Sequence, residues 1–129
     1  MREDLRTVST AALAYLGDCV LELLVREHLV RAGFSSSRAL NARALAFVSA
    51  PAQAAAFERI APCLSEEENA VFHRGRNMGH TQTPRHATVH EYRTATGMET
   101  LFGYLHLAGQ TARLSELFAR AYPASGPQP

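Results

Sequence analysis

At 129 residues the chain fits one domain, and a domain of that size buries roughly two-thirds of its unfolded surface without needing disulfides. Apolar residues at 47% exclude a chain that is disordered throughout, and no apolar run approaches the ~20 residues needed to span a bilayer. Charged residues at 19% and a net charge of +1 do not by themselves announce a nucleic-acid binder.

The pattern is helical throughout, with no alternating strand of convincing length, so the expected fold class is all-α. A first helix starts after Thr7 or Ser9 and runs to about Arg31, with Leu13, Leu16, Val20, Leu23, Leu24 and Val30 as its apolar stripe and Gly33 as its stop. Ser35, Ser36 and Ser37 offer N-caps for a second helix carrying Leu40, Ala44, Leu45 and Phe47. Ser49 and Pro51 mark a break and a restart, and the third helix ends before Pro62. Ser65 with Glu68 matches a capping box and opens a fourth helix to about Arg74. From Gly75 to Ala87 the apolar pattern stops, which reads as a loop. A long helix follows from about Thr88 to Leu107, then a last amphipathic one from about Thr111 to Ala121. Residues 1–121 are expected to form the domain and residues 122–129 a disordered tail.

All 13 basic residues are arginine, so any anion site is built from planar, permanently charged forks. Cys19 and Cys63 form no metal motif and are expected to be buried free thiols of a reducing compartment. With a polar N-terminus, MREDLRTVST, that points to the cytoplasm.

Three features could carry chemistry. Asp18 lies among residues that otherwise look buried, where an ionised carboxylate is costly unless it is paired or metal-bound. Gly17 beside it costs a helix roughly 1 kcal/mol relative to alanine, and such a glycine often admits a close backbone or ligand. Glu99 sits in a second glycine-bearing apolar helix, sharing a face with Thr96 and Gly103. Each acid is as readily a solvent-facing helix residue; two converging acids would suit a hard cation. The third feature is a span from Asn69 to His90 with no acid, holding Arg74, Arg76 and Arg85 and four histidines, His80 among them. It suits phosphate contacts, and a solvated polar loop is its plain alternative.

These features occur together, in order, in one family. Ala12-Leu13-Ala14-Tyr15-Leu16-Gly17-Asp18, Phe47-Val48-Ser49-Ala50 with Gln53-Ala54, Arg74-Gly75-Arg76-Asn77 and the run from Tyr92 to Glu99 with Leu101-Phe102-Gly103-Tyr104-Leu105 resemble the ribonuclease III catalytic domain. Within it they resemble the small Mini-ribonuclease III group, over about residues 11 to 118. The resemblance implies a helical homodimer with two active sites along one cleft, each cutting one strand of double-stranded RNA to leave 5′-phosphate and 3′-hydroxyl ends. It implies Asp18 and Glu99 as catalytic ligands of Mg²⁺, and a task in maturing 23S ribosomal RNA precursor ends, with a ribosomal protein as a conceivable presenting partner. Full-length family members have Glu where this chain has Ala11 and Ala14, and Asp at Thr96, so the acidic set is reduced. Glu22, one turn past Asp18, is expected to face elsewhere. Without a separate RNA-binding domain, Arg74, Arg76, Asn77, His80 and Arg85 are the candidates for gripping the duplex. The runner-up is a non-catalytic double-stranded-RNA-binding module on the same fold, followed by a plain helical interaction domain.

Overall fold

The computed structural model describes residues 4–78 and 86–123. Among these there are six α-helices and no strand: α1 (Thr10–Arg31), α2 (Ser37–Val48), α3 (Ala50–Ile60), α4 (Glu66–Arg76), α5 (Val89–Leu107) and α6 (Thr111–Ala121). The starts are set by local hydrogen bonds. Ser9, Ser36 and Ser49 each cap a helix by accepting from the backbone N–H three residues on. Ser65 with Glu68 and Thr88 with Glu91 close complete capping boxes. Gly33 follows the end of α1 at φ 102°, a backbone conformation that a side chain would strain.

α5 is the centre of the molecule. Met98, Leu101, Phe102 and Leu105 are wholly buried, and α1, α3, α4 and α6 all pack against it. A helix apolar on nearly every face has to be enclosed in this way. Its buried hydroxyls are satisfied internally: Thr96 donates to the Tyr92 carbonyl at 3.0 Å and Thr100 to the Thr96 carbonyl at 2.7 Å. Phe57 stacks on Phe72 with ring centroids 3.7 Å apart, joining α3 to α4. Arg113 of α6 donates to the buried Glu68 carboxylate at 2.7 Å and to the Cys63 carbonyl at 2.8 Å, tying α6 to the start of α4.

The apolar face of α1 differs from expectation. Leu13, Gly17, Val20, Leu21, Val25 and Leu29 are buried, whereas Leu23 and Val30 are exposed. α5 crosses α1 at Gly17, so the buried stripe centres on that contact and leaves the leucine and valine on the other side turned out. Leu45 is likewise exposed on α2. Gly75, expected to open the loop, lies inside α4 and is buried, because its bare Cα faces Thr100 and Gly97 of α5. Cys19 is exposed and Cys63 half-buried, so neither is the buried thiol expected. Tyr122, assigned to the tail, packs against Phe47 and Phe118 and donates its hydroxyl to the Phe47 carbonyl at 2.7 Å. The rest of the expected tail from 124 onward lies outside the described residues.

Candidate active site

The site begins with a helix crossing too tight for side chains. A Cβ on Gly17 would collide with the Glu99 carbonyl and the Gly103 amide nitrogen, and a Cβ on Gly103 would collide with the Leu13 carbonyl. The two backbones therefore touch, and the crossing sets Asp18, the next residue on α1, level with Glu99 on α5. The two carboxyl groups lie within hydrogen-bonding reach of one another. Asp18 is exposed and Glu99 half-buried. Burial, then the charge of Asp18, then the hydrogen bond with it push the Glu99 carboxyl from the ordinary 4.5 up to about 8, against a smaller opposing pull from the Gln53 amide.

α3 adds a third polar group. Gln53, in its first turn, is 3% exposed. Its Nε2 donates to the Val48 carbonyl at 2.9 Å and to Glu99 Oε2 at 3.4 Å, while its Oε1 is buried with no hydrogen-bond partner. The sequence reading assigned Gln53 no role, although a signal was present. It stands four residues before Phe57 and seven before Ile60, on the apolar face of α3, where an amide needs a reason.

The site thus offers carboxylate oxygens from two helices, with the Gln53 amide against one of them. Those donors are all oxygen, which suits a hard divalent cation. Such a charge would also offset the burial and the repulsion from Asp18 that together hold the Glu99 carboxyl high.

Residues 11–110 match the ribonuclease III domain family. The chain is 44% identical to a Mini-ribonuclease 3 of Symbiobacterium thermophilum over 89% of its own length and 88% of the relative's. It is 40% identical to a Mini-ribonuclease 3 of Enterococcus faecalis, covering 88% of each chain. A crystal structure of a Fusobacterium nucleatum protein superposes with a TM-score of 0.80 at 30% identity, over 89% of this chain and 92% of that one.

The chain belongs to the ribonuclease III family, in its Mini-ribonuclease III group.

As a member of that family it is an endoribonuclease with the family's helical domain. Its reduced acidic set is visible in the fold. Ala14 stands half-buried on α1, and Thr96 is buried with its hydroxyl spent on the Tyr92 carbonyl. Glu22 is turned to Arg26, paired at 3.0 Å. No further His, Cys, Asp or Glu among the described residues joins Asp18 and Glu99 to make a metal cluster of three.

The candidates for RNA contact fare differently from one another. Arg74 donates to the Val8 carbonyl at 3.0 Å, holding the segment before α1 against α4. Arg76, half-buried in the last turn of α4, keeps a buried Nε with no hydrogen-bond partner. Asn77 is exposed and caps the C-terminus of α4. His80 and Arg85 lie outside the described residues.

Proposed function

We propose that this ribonuclease is a Mg²⁺-dependent endonuclease that cuts double-stranded RNA, leaves 5′-phosphate and 3′-hydroxyl ends, and matures the ends of 23S ribosomal RNA precursor. The observation that carries the reading is the Asp18–Glu99 pair, in which a second acid is set against a carboxyl that burial already makes costly to ionise. In this reading both carboxylates hold Mg²⁺, and waters or RNA phosphate oxygens complete the shell in place of the acids replaced by Ala14 and Thr96. Bound Mg²⁺ supplies an activated water and stabilises the leaving oxygen. Glu99 anchors the site from the rigid central helix, and Asp18 reaches it from the exposed side of the α1–α5 crossing. Arg76, Asn77, His80 and Arg85 bind phosphates and 2′-hydroxyls of the A-form duplex, with Arg74 bracing that corner. Two copies pair through the exposed α1 face around Tyr15, which is 85% exposed, so that each cuts one strand. A ribosomal protein that presents the precursor fits the same scheme.

The test is cleavage of a precursor stem with end mapping. Wild type should cut in Mg²⁺ and stop in EDTA, and Asp18→Asn and Glu99→Gln should each lower the rate on the order of 10²-fold or more. If Asp18→Asn cuts as fast as wild type, this is not the active site. Duplex RNA that binds with strong salt dependence but stays intact in Mg²⁺ or Mn²⁺ would support a non-catalytic binding module instead.

A further inference from the structure

We infer that Gln53 is a positioning residue of the cation site, its Nε2 orienting Glu99 and its Oε1 accepting a hydrogen bond from a water on the bound cation. The inference rests on the Mg²⁺ reading above and adds a neutral member to the acidic pair.

Three observations carry it. First, the amide is almost wholly enclosed yet only half used. Nε2 bridges the Val48 carbonyl and Glu99 Oε2, while Oε1, enclosed as deeply, has no donor. A buried acceptor without a donor is rare in a native fold, and where one persists an unseen water or ion is a usual reason. Secondly, the amide cannot exchange its two ends without loss. Turning it over would set its oxygen against the Val48 carbonyl and the Glu99 carboxylate, two acceptors, so Oε1 is held in the unpartnered position. Thirdly, the amide touches Glu99 directly, and among the described residues no third acid joins Glu99 and Asp18 to share the work. Thr96 has its hydroxyl engaged within α5 and Ala14 has no donor atom. A divalent cation held by two carboxylates keeps several waters, each an O–H donor in need of an acceptor. The orphaned Oε1 is an acceptor in need of one.

The element that presents Gln53 makes it rigid. Ser49 caps α3, and Phe57 and Ile60 anchor the same face one and two turns on. The Val48 carbonyl that Nε2 grips ends the preceding helix. Gln53 therefore reports the placing of α3 against α5 directly to Glu99.

Mn²⁺ binding to the RNA-free protein tests this, followed by the loss of the free-ion electron paramagnetic resonance signal, with thermal melting with and without Mn²⁺ in parallel. Wild type should bind Mn²⁺. Gln53→Leu, which has neither end of the amide, should keep its helical circular dichroism and bind Mn²⁺ roughly 10-fold or more weakly, in the range that loss of an outer hydrogen-bond partner gives. Gln53→Glu should restore an oxygen acceptor. It should melt below wild type without Mn²⁺, because a third carboxylate then faces Glu99, and should bind Mn²⁺ at least as tightly as wild type. Gln53→Leu binding with wild-type affinity overturns the inference and leaves the Mg²⁺ reading intact. So does a Gln53→Glu variant that binds well below wild type, which decides the matter even if the leucine variant does not fold. A wild-type protein that takes up no Mn²⁺ defeats both readings.

Discussion

Glu99 carries opposing demands in one side chain. Without a cation its carboxyl keeps a proton up to about pH 8, whereas in the unfolded chain the same group releases it near the ordinary 4.5. Between those values the folded state binds the extra proton, so stability falls as pH rises. The full effect is on the order of a few kcal/mol. In EDTA the melting temperature should therefore drop between pH 5 and pH 9, and Glu99→Gln should remove most of that drop. Mn²⁺ or Mg²⁺ at pH 8 should raise the melting temperature of wild type and leave that of Glu99→Gln almost unmoved. A flat wild-type profile in EDTA would mean that Asp18 and burial do not act on Glu99 as the geometry implies.

Glu68 is the contrasting acid. Its hydrogen bond from Arg113, chiefly, holds its carboxyl below the ordinary range despite burial. That stability is present above about pH 4.5 and is lost as the pH falls through the lowered value. Glu68→Gln keeps an oxygen for the Ser65 N–H of the capping box but takes the buried charge away from Arg113, which retains only its exposed pair with Glu116, at a cost of roughly 1–3 kcal/mol. The urea midpoint should fall at pH 7 and much less at pH 3. Because the two acids act in separate pH windows, one titration of stability resolves both.

At the scale of elements, the crossing of α1 and α5 decides whether there is a site. Gly17→Ala should gain roughly 1 kcal/mol of helix propensity. It would also force the two backbones apart, and because the collision is with backbone atoms that cannot turn aside, the cost lies at about 3 kcal/mol or more and outweighs that gain. The variant should be less stable by denaturant titration. Its cleavage rate at a temperature where it is fully folded should fall at least 10-fold, because the displacement carries Asp18 away from Glu99. Full activity in a folded Gly17→Ala would show that the close approach serves packing alone. Helix starts were the most legible part of the sequence at this scale. Ser9, Ser36, Ser49, Ser65 and Thr88 each bond to a backbone group within three residues, so nothing distant is needed to locate them. The outward face of α1 was not legible. Leu23 and Leu21 are equally apolar, and only the position of α5 says that one is buried and the other exposed. Gly75 misled for the same reason. A glycine beside arginines reads as a loop until α5 is seen to press against it.

At the scale of the whole molecule, Tyr15, Leu23, Val30 and Leu45 of the first two helices are exposed, and Tyr15 the most of them. In the dimer proposed above, Tyr15→Arg should yield a monomer in sedimentation at micromolar concentration, with circular dichroism unchanged because the side chain touches little of its own fold. That monomer should nick one strand of a duplex slowly, where wild type cuts both. A monomeric wild type at the same concentration would count against the two-cut cleft.

The sequence alone determined that the chain is all-helical, where its helices begin, and that Asp18 and Glu99 are the acids to watch. These follow from local capping, from periodicity and from ordered residue blocks that survive without coordinates. Tertiary structure decided which face of each helix is buried, that the two acids meet at all, and that Gln53 is enclosed beside them. The physical reason lies in one contact. Gly17 and Gly103 allow two helices, far apart along the chain, to meet backbone to backbone, and the neighbours of that meeting point acquire partners that no local pattern encodes.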